Sequence, residues 1–325
     1  MKATALAHPN IALAKYWGKR DDGHNLPAVP SLSVTLEGMV TRTTVEFIDG
    51  LAVDELRLQG APASSTRIEG LLDRVRRRAG SMRRARVEST NDFPTASGLA
   101  SSASAFAALA VAATHAAGLA LSPDELSDLA RQSSVSSARS VLGGFVALRA
   151  GREGEEHLSA EAVAPADHLD LRVVVAVTHE GPKAIGSSEG MRHTVRTSPY
   201  FAAWVAHAPS LYARIREALL RRDLEALGAA AEQSALAMHA SAIAAAPGLL
   251  YWSGATVDAL TQVRALRGRG LSAWATIDAG PHVKVLTTST DEARVAEAMR
   301  EVPGVLRTIE ARPGPGAHLD EERTA

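Results

Sequence analysis

Residues 91–106, NDFPTASGLASSASAF, run a glycine loop into an alanine-rich segment, and this limits the folds open to the chain. The alternating residues before it predict a strand over 84–89, and the residues after Gly98 predict a helix over 98–117. Gly98 takes backbone angles that a Cβ forbids and lets a ligand approach the main chain. The first N–H groups of a helix have no intrahelical acceptor, and the helix dipole adds partial positive charge there. Strand, glycine turn and helix together therefore offer an anion site, to which Ser101, Ser102 and Ser104 can add hydroxyls. The competing reading is an ordinary N-cap on a packed helix.

Alternation predicts further strands over 42–48 and 54–58, and helical spacing of Ile68, Leu71, Leu72 and Val75 predicts a helix over 67–78. A helix over 123–133 and a buried strand over 143–148 follow. Residues 151–157 read as a turn, with a domain boundary between them and His168. In the second half, 171–178 is an apolar strand, 187–244 is mostly helical, and 257–266 is a helix. Strands over 274–277 and 305–310 flank a helix over 292–300. The sequence thus divides into residues 1–168, 169–312 and a flexible tail, 313–325, with α+β layers and a cleft between two lobes.

Composition removes several function classes. A net charge of −1 gives no bulk attraction to nucleic acid or anionic membranes, and an aromatic content of 4% leaves little for base stacking. No apolar run approaches the roughly 20 residues that span a bilayer, and the N-terminus does not read as a signal peptide. Without cysteine there is no disulfide, thiolate nucleophile or cysteine metal site, which fits a cytoplasmic setting. His8, His239 and His282 lack the spacing of a metal site. The basic run 74–86 reads either as a polyanion patch or as a solvated helix face and turn.

Three constellations can carry chemistry. In 10–20, Lys15 and Lys19 flank Tyr16, Trp17 and Gly18, so the rings can wall a pocket in which an ammonium works at low dielectric, or the segment is a surface loop. In 133–145, Ser134, Ser136 and Ser137 crowd Arg139, whose fork suits a carboxylate or phosphate; a structural ion pair is the alternative. In 276–282, Asp278 ends an apolar strand at a glycine–proline turn, as a base, as an orienting group for a hydroxyl, or as a simple turn former.

Together these segments resemble the GHMP kinase superfamily and, within it, the diphosphomevalonate decarboxylase family. Pro94, Gly98, Leu99, Ser101, Ser102, Ala103 and Ser104 match the superfamily's phosphate loop. The decarboxylase segments NIAxxKYWGKRD, SxSACRS and DAGPN are matched by residues 10–21, 134–140 (followed by the GGF of 143–145) and 278–282. The resemblance covers nearly the whole chain and implies a two-lobed GHMP kinase-like α+β fold. It implies ATP-dependent decarboxylation of mevalonate 5-diphosphate to isopentenyl diphosphate, with ATP and Mg²⁺ as cofactors and a homodimer as the assembly.

By the same resemblance Asp278, Arg139 and Lys15 are catalytic. Tyr16, Trp17, Gly18, Lys19, Arg67, Ser134, Ser136, Ser137, Ser187 and Ser188 bind substrate. Ser97, Gly98, Leu99, Ala100, Ser101, Ser102 and Ser104 cradle the ATP phosphates, with Ser101 or Ser102 reaching Mg²⁺. The chain departs from the family at Ser133, Val135, Ser188 and His282. These departures keep open a phosphomevalonate decarboxylase and a mevalonate 3-kinase. A non-catalytic GHMP-fold regulator is a separate alternative, against which the joint presence of Lys15, Arg139 and Asp278 argues.

Overall fold

The computed structural model describes residues 1–93, 101–181 and 184–321. Ser97, Gly98, Leu99 and Ala100, with Pro94 of the same loop, lie outside the described residues.

Alternation organises the first sheet. In Thr41–Ile48 every second residue is buried, and Arg84–Asn91 pairs with it antiparallel, burying Ala85, Val87 and Ser89. The sheet runs in the spatial order His318–Leu319, Lys2–Ala7, Thr41–Ile48, Arg84–Asn91, Glu55–Leu58 and Ala61–Ala63. All its pairings are antiparallel except that of Glu55–Leu58 with Arg84–Asn91. Helix Ser101–Ala116 lies against it and is apolar nearly all round, as a helix enclosed on every side must be.

The second sheet uses both halves of the chain. Its order is Glu161–Ala164, Phe145–Leu148, Ser31–Glu37, Arg307–Pro313, Arg172–Val177, Val283–Thr287 and Trp274–Thr276, with Asn10–Ala14 also paired to Ser31–Glu37. Strand Arg172–Val177 is covered on both faces. Val173, Val175 and Val177 pack with Ile215 and Leu227 of helices Phe201–Leu220 and Leu224–Ile243. Val174 and Ala176 pack with Val263 and Val295 of helices Gly254–Gly268 and Glu292–Arg300. Such a doubly covered strand reads as a continuous apolar run, as it does here.

The tail expected to be flexible from residue 313 is ordered through Asp320. Gly314 N–H donates to Thr35 O at 2.9 Å, Gly144 N–H donates to Gly314 O at 2.9 Å, and Asp320 N–H donates to Thr4 O at 2.9 Å. The segment threads past Gly143 and Gly144, both at positive φ (72° and 63°), and a Cβ on Gly143 would lie 2.1 Å from Gly316 N. The Gly-Gly pair therefore makes room for the returning chain. Gly143→Ala combines a backbone clash with a strained φ and is expected to cost about 3 kcal/mol or more, read as a lowered midpoint in chemical denaturation.

The basic run also differs from a uniformly solvated face. Arg76 is buried and forks onto both oxygens of Asp54 at 2.9 Å, and Asp54 also accepts Ala85 N–H. Its neighbours Arg77, Arg78 and Arg83 are exposed.

Candidate active site

Strand Asn10–Ala14 is wholly buried and delivers Lys15 to the interior. The Lys15 N–H donates to Ser234 Oγ at 3.0 Å, and its Nζ donates to Ala12 O at 2.8 Å and to Asp278 Oδ1 at 2.7 Å. Asp278 follows strand Trp274–Thr276 in a turn closed by Gly280 N–H on its own carbonyl. That turn is braced behind: Thr256 and Thr178 donate to Pro281 O, and Thr178 N–H donates to Nδ1 of buried His282. His282 thus supports the loop from the core side.

A second ammonium meets the same carboxylate. Lys284, fully buried in strand Val283–Thr287, places Nζ 3.2 Å from Asp278 Oδ2. Burial alone would push the Asp278 carboxyl up, yet the charges of Lys15 and Lys284 overrule it and hold it well below the carboxylate range. Burial lowers Lys15 to about 8 against the pull of Asp278.

Arg139 sits in the short helix Ser137–Ser140 with only 1% of its surface exposed. Its Nε donates to Ser33 Oγ at 2.9 Å, Nη1 to Ser31 Oγ at 2.7 Å, and Nη2 to Asn10 Oδ1 at 3.5 Å. Asn10 is fixed in turn by donating to Ser136 O and Ser140 Oγ. No carboxylate pairs with Arg139 among the described residues. Burial lowers it to about 10, so it carries its charge at neutral pH.

These groups open on one cleft of about 780 Å³. Lys15, Arg139 and Asp278 line it together with Tyr16, Trp17, Lys19, Arg67, Ser134, Ser136, Ser187 and Ser188. Ser101 and Ser102, at the start of helix Ser101–Ala116, line the same cleft, which extends to apolar Leu56, Ile68, Phe106 and Leu109. The Tyr16 hydroxyl is buried at the wall without a hydrogen-bond partner among the described residues, and burial raises its pKa. Trp17 packs its ring edge-on to Tyr251, and its carbonyl accepts from Trp204 Nε1.

Three expected contacts are turned away. Ser104 is fully buried: its hydroxyl hydrogen-bonds with Thr41 Oγ1 and donates to Ser101 O, so it faces the first sheet. Ser137 Oγ donates to the carbonyls of Ala130 and Ser134, closing its own turn. Gly18 lies behind the wall at φ +97°, where a Cβ would sit 2.6 Å from the Phe201 ring.

Lys284, Asn10, Ser31 and Ser33 were not singled out in the sequence. The available signals were a lone lysine in the apolar VKVLT and the alternating serines of SLSV. No group of three or more histidines and carboxylates placed to hold a metal ion occurs among the described residues. No helix among them is long and apolar enough to cross a membrane.

Comparison with known proteins matches two family models, a diphosphomevalonate decarboxylase-like N-terminal domain over residues 7–159 and a mevalonate 5-diphosphate decarboxylase C-terminal domain over 173–312. The chain is 37% identical to a diphosphomevalonate decarboxylase of Aspergillus fumigatus, over 93% of this chain and 81% of that one. It is 35% identical to a phosphomevalonate decarboxylase of Haloferax volcanii, over 99% and 98% of the two chains. Its fold superposes with a TM-score of 0.91 on MDDEF in complex with MVAPP, AMPPCP and magnesium, at 36% identity and 98% coverage of both chains.

Proposed function

The chain belongs to the diphosphomevalonate decarboxylase family, and we propose that its cleft converts mevalonate 5-diphosphate and ATP to isopentenyl diphosphate, ADP, phosphate and CO₂. The observation that carries this reading is the Lys15–Asp278 pair, backed by buried Lys284, sharing one cleft with a buried arginine whose fold partners are all neutral. That arrangement suits a substrate with a hydroxyl to be phosphorylated and a carboxylate to be gripped.

The proposed sequence of events follows from the charges. Asp278 accepts the hydrogen bond of the 3-hydroxyl and aims its oxygen at the γ-phosphorus. A carboxyl held so low is a weak base, so its contribution is mainly orientation. Lys15 offsets the negative charge of the phosphoryl group in transfer. As the 3-oxygen bonds to the γ-phosphorus, the bond from that phosphorus to the β,γ-bridging oxygen breaks and ADP leaves, while the hydroxyl proton passes to an oxygen of the transferred phosphoryl group. The C3–O bond then breaks and phosphate leaves. The C1–C2 bond pair becomes the C2–C3 double bond as CO₂ departs. Fixed negative charge on Asp278 beside C3 favours the positive charge that develops there.

Ser101 and Ser102 offer neutral oxygens, a donor set that fits a Mg²⁺ carried mainly on nucleotide phosphates and water. When bound, that ion neutralises charge on the phosphates. Lys19, Tyr16, Ser134, Ser136, Ser187 and Ser188 hold the phosphorylated end, and Ser101 and Ser102 meet the nucleotide. A cytoplasmic homodimer completes the proposal; light scattering tests the assembly.

The Haloferax relative gives a second reading real weight, since its name specifies the monophosphate and it aligns over nearly both whole chains. Purified protein with Mg²⁺ and ATP, assayed for ADP and CO₂ on mevalonate, its 5-phosphate and its 5-diphosphate, decides between them. Equal ADP and CO₂ from the diphosphate supports the lead; turnover confined to the monophosphate moves the function to the sister activity.

Lys15 also sets a pH limit. Its low pKa predicts that kcat/KM falls as pH rises through about 8. The folded protein gives up this proton before the unfolded chain does, whose lysine titrates near 10.5. Lys15's own contribution to stability therefore rises between those values. Activity should fall over this range without unfolding, as paired rate and melting profiles would show. Lys15→Arg should move the limb to higher pH.

A further inference from the structure

The turn between strands Lys19–Asp21 and Leu26–Pro27 holds Asp22, whose carboxylate meets two cations that line the cleft. Lys19 Nζ donates to Asp22 Oδ1 at 2.6 Å, and Arg192 Nη1, from helix Ser187–Thr197, lies 3.5 Å from Asp22 Oδ2. Both cations line the cleft, beside Ser187 and Ser188. The other acidic groups nearby are placed differently. Asp21 is taken up by His24. Glu189, one turn before Arg192 on the same helix, lines the cleft itself but makes no ion pair among the described residues, so it is a fixed charge that leaves both cations to Asp22. The Lys19 side chain is 12% exposed and Asp22 48%, so the carboxylate reaches in from solvent to a cation that is largely enclosed.

We propose that Asp22 is a specificity-determining residue, an internal anion bridging the two cations that meet the phosphorylated end of the substrate. This rests on the reading of the cleft as a phosphomevalonate or diphosphomevalonate site. An incoming phosphate has to share Lys19 and Arg192 with Asp22 or displace it. The longer, more exposed contact to Arg192 yields first. Like charges at contact distance repel, and the repulsion grows with the charge brought in. Asp22 therefore weakens the diphosphate more than the monophosphate and narrows the preference that two cations alone would give.

The test is steady-state kinetics of Asp22→Asn with mevalonate 5-phosphate and 5-diphosphate, with the KM for ATP as control. KM for the diphosphate should fall about 3- to 10-fold, KM for the monophosphate should fall less, and kcat and the ATP KM should hold. Asp22→Glu should keep the parental values, which ties the effect to charge. Higher KM for both substrates would overturn the proposal, because Asp22 would then be preorganising the cations. Unchanged KM values in a protein that turns over either substrate would overturn it as well. A parent protein that turns over neither substrate sinks the reading of the cleft instead.

Discussion

Asp278→Asn is expected to reduce turnover by about 10³-fold, equivalent to about 4 kcal/mol of barrier. The amide has the same shape and no charge. It removes the group proposed to orient the hydroxyl and the carboxylate that pairs with both Lys15 and Lys284. Lys15 then loses the attraction that opposes its burial, and with a pKa already at about 8 it sheds its proton near neutral pH. The site thus loses its anion and one of its cations together. Removing one partner of a buried ion pair costs about 3–5 kcal/mol, so the variant should also melt at lower temperature. Asp278→Asn combined with Lys284→Met should recover stability and leave turnover low, separating the two effects. Single-turnover ADP formation within tenfold of the parent would remove Asp278 from the reaction. The carboxyl has a low folded pKa, so its stabilising contribution is complete above the ordinary value of 3.8 and is lost only as pH falls through the folded one.

The runs around Lys15, Arg139 and Asp278 each left a bland reading open, a surface loop, an ion pair or a turn. Only the resemblance of the three runs together singled these residues out, and the structure brings them to one cleft. Lys284 was hidden by the same logic. One lysine in VKVLT reads as the solvent side of a half-buried strand, yet this strand lies between Arg172–Val177 and Trp274–Thr276, with helices packed on its sheet. Alternation points to water only when one face of the sheet meets water. Asn10, Ser31 and Ser33 carry no charge to draw attention, and their role exists only because the antiparallel pairing of 10–14 with 31–37 brings them under one guanidinium.

Several strands escaped for a related reason. Lys2–Ala7 reads KATALA, and alanine packs well there only because an alanine-rich helix lies against it. Ser101 and Ser104 look equivalent at i and i+3, but only the first lines the cleft, while Thr41 claims the second. Local pattern cannot assign a hydroxyl between two acceptors that tertiary packing alone supplies. The same holds for the tail: a Pro/Gly-rich end reads as disorder until Gly143 and Gly144 are seen to make a channel for it.

Arg139→Gln is the second large effect, a fall in kcat/KM of about 10²- to 10³-fold. A guanidinium this buried ordinarily has a carboxylate beside it. Here the partners are two serine hydroxyls and an amide oxygen, so its positive charge is left for a ligand. In the proposed reaction the substrate carboxylate supplies the missing anion. Glutamine can donate to one of its oxygens and cannot neutralise it. Arg139→Lys should recover little, because a single ammonium cannot serve Ser31, Ser33 and a carboxylate in the planes the fork now occupies. In the proposed sequence the carboxylate is anchored before phosphoryl transfer begins, so misplacing it also misplaces the 3-hydroxyl on the same small molecule. ADP and CO₂ should therefore fall together and stay equal. If Arg139→Gln released ADP at the parental rate while CO₂ lagged, the arginine would act only on the bond-breaking step, and anchoring of the substrate would have to come from the phosphorylated end alone.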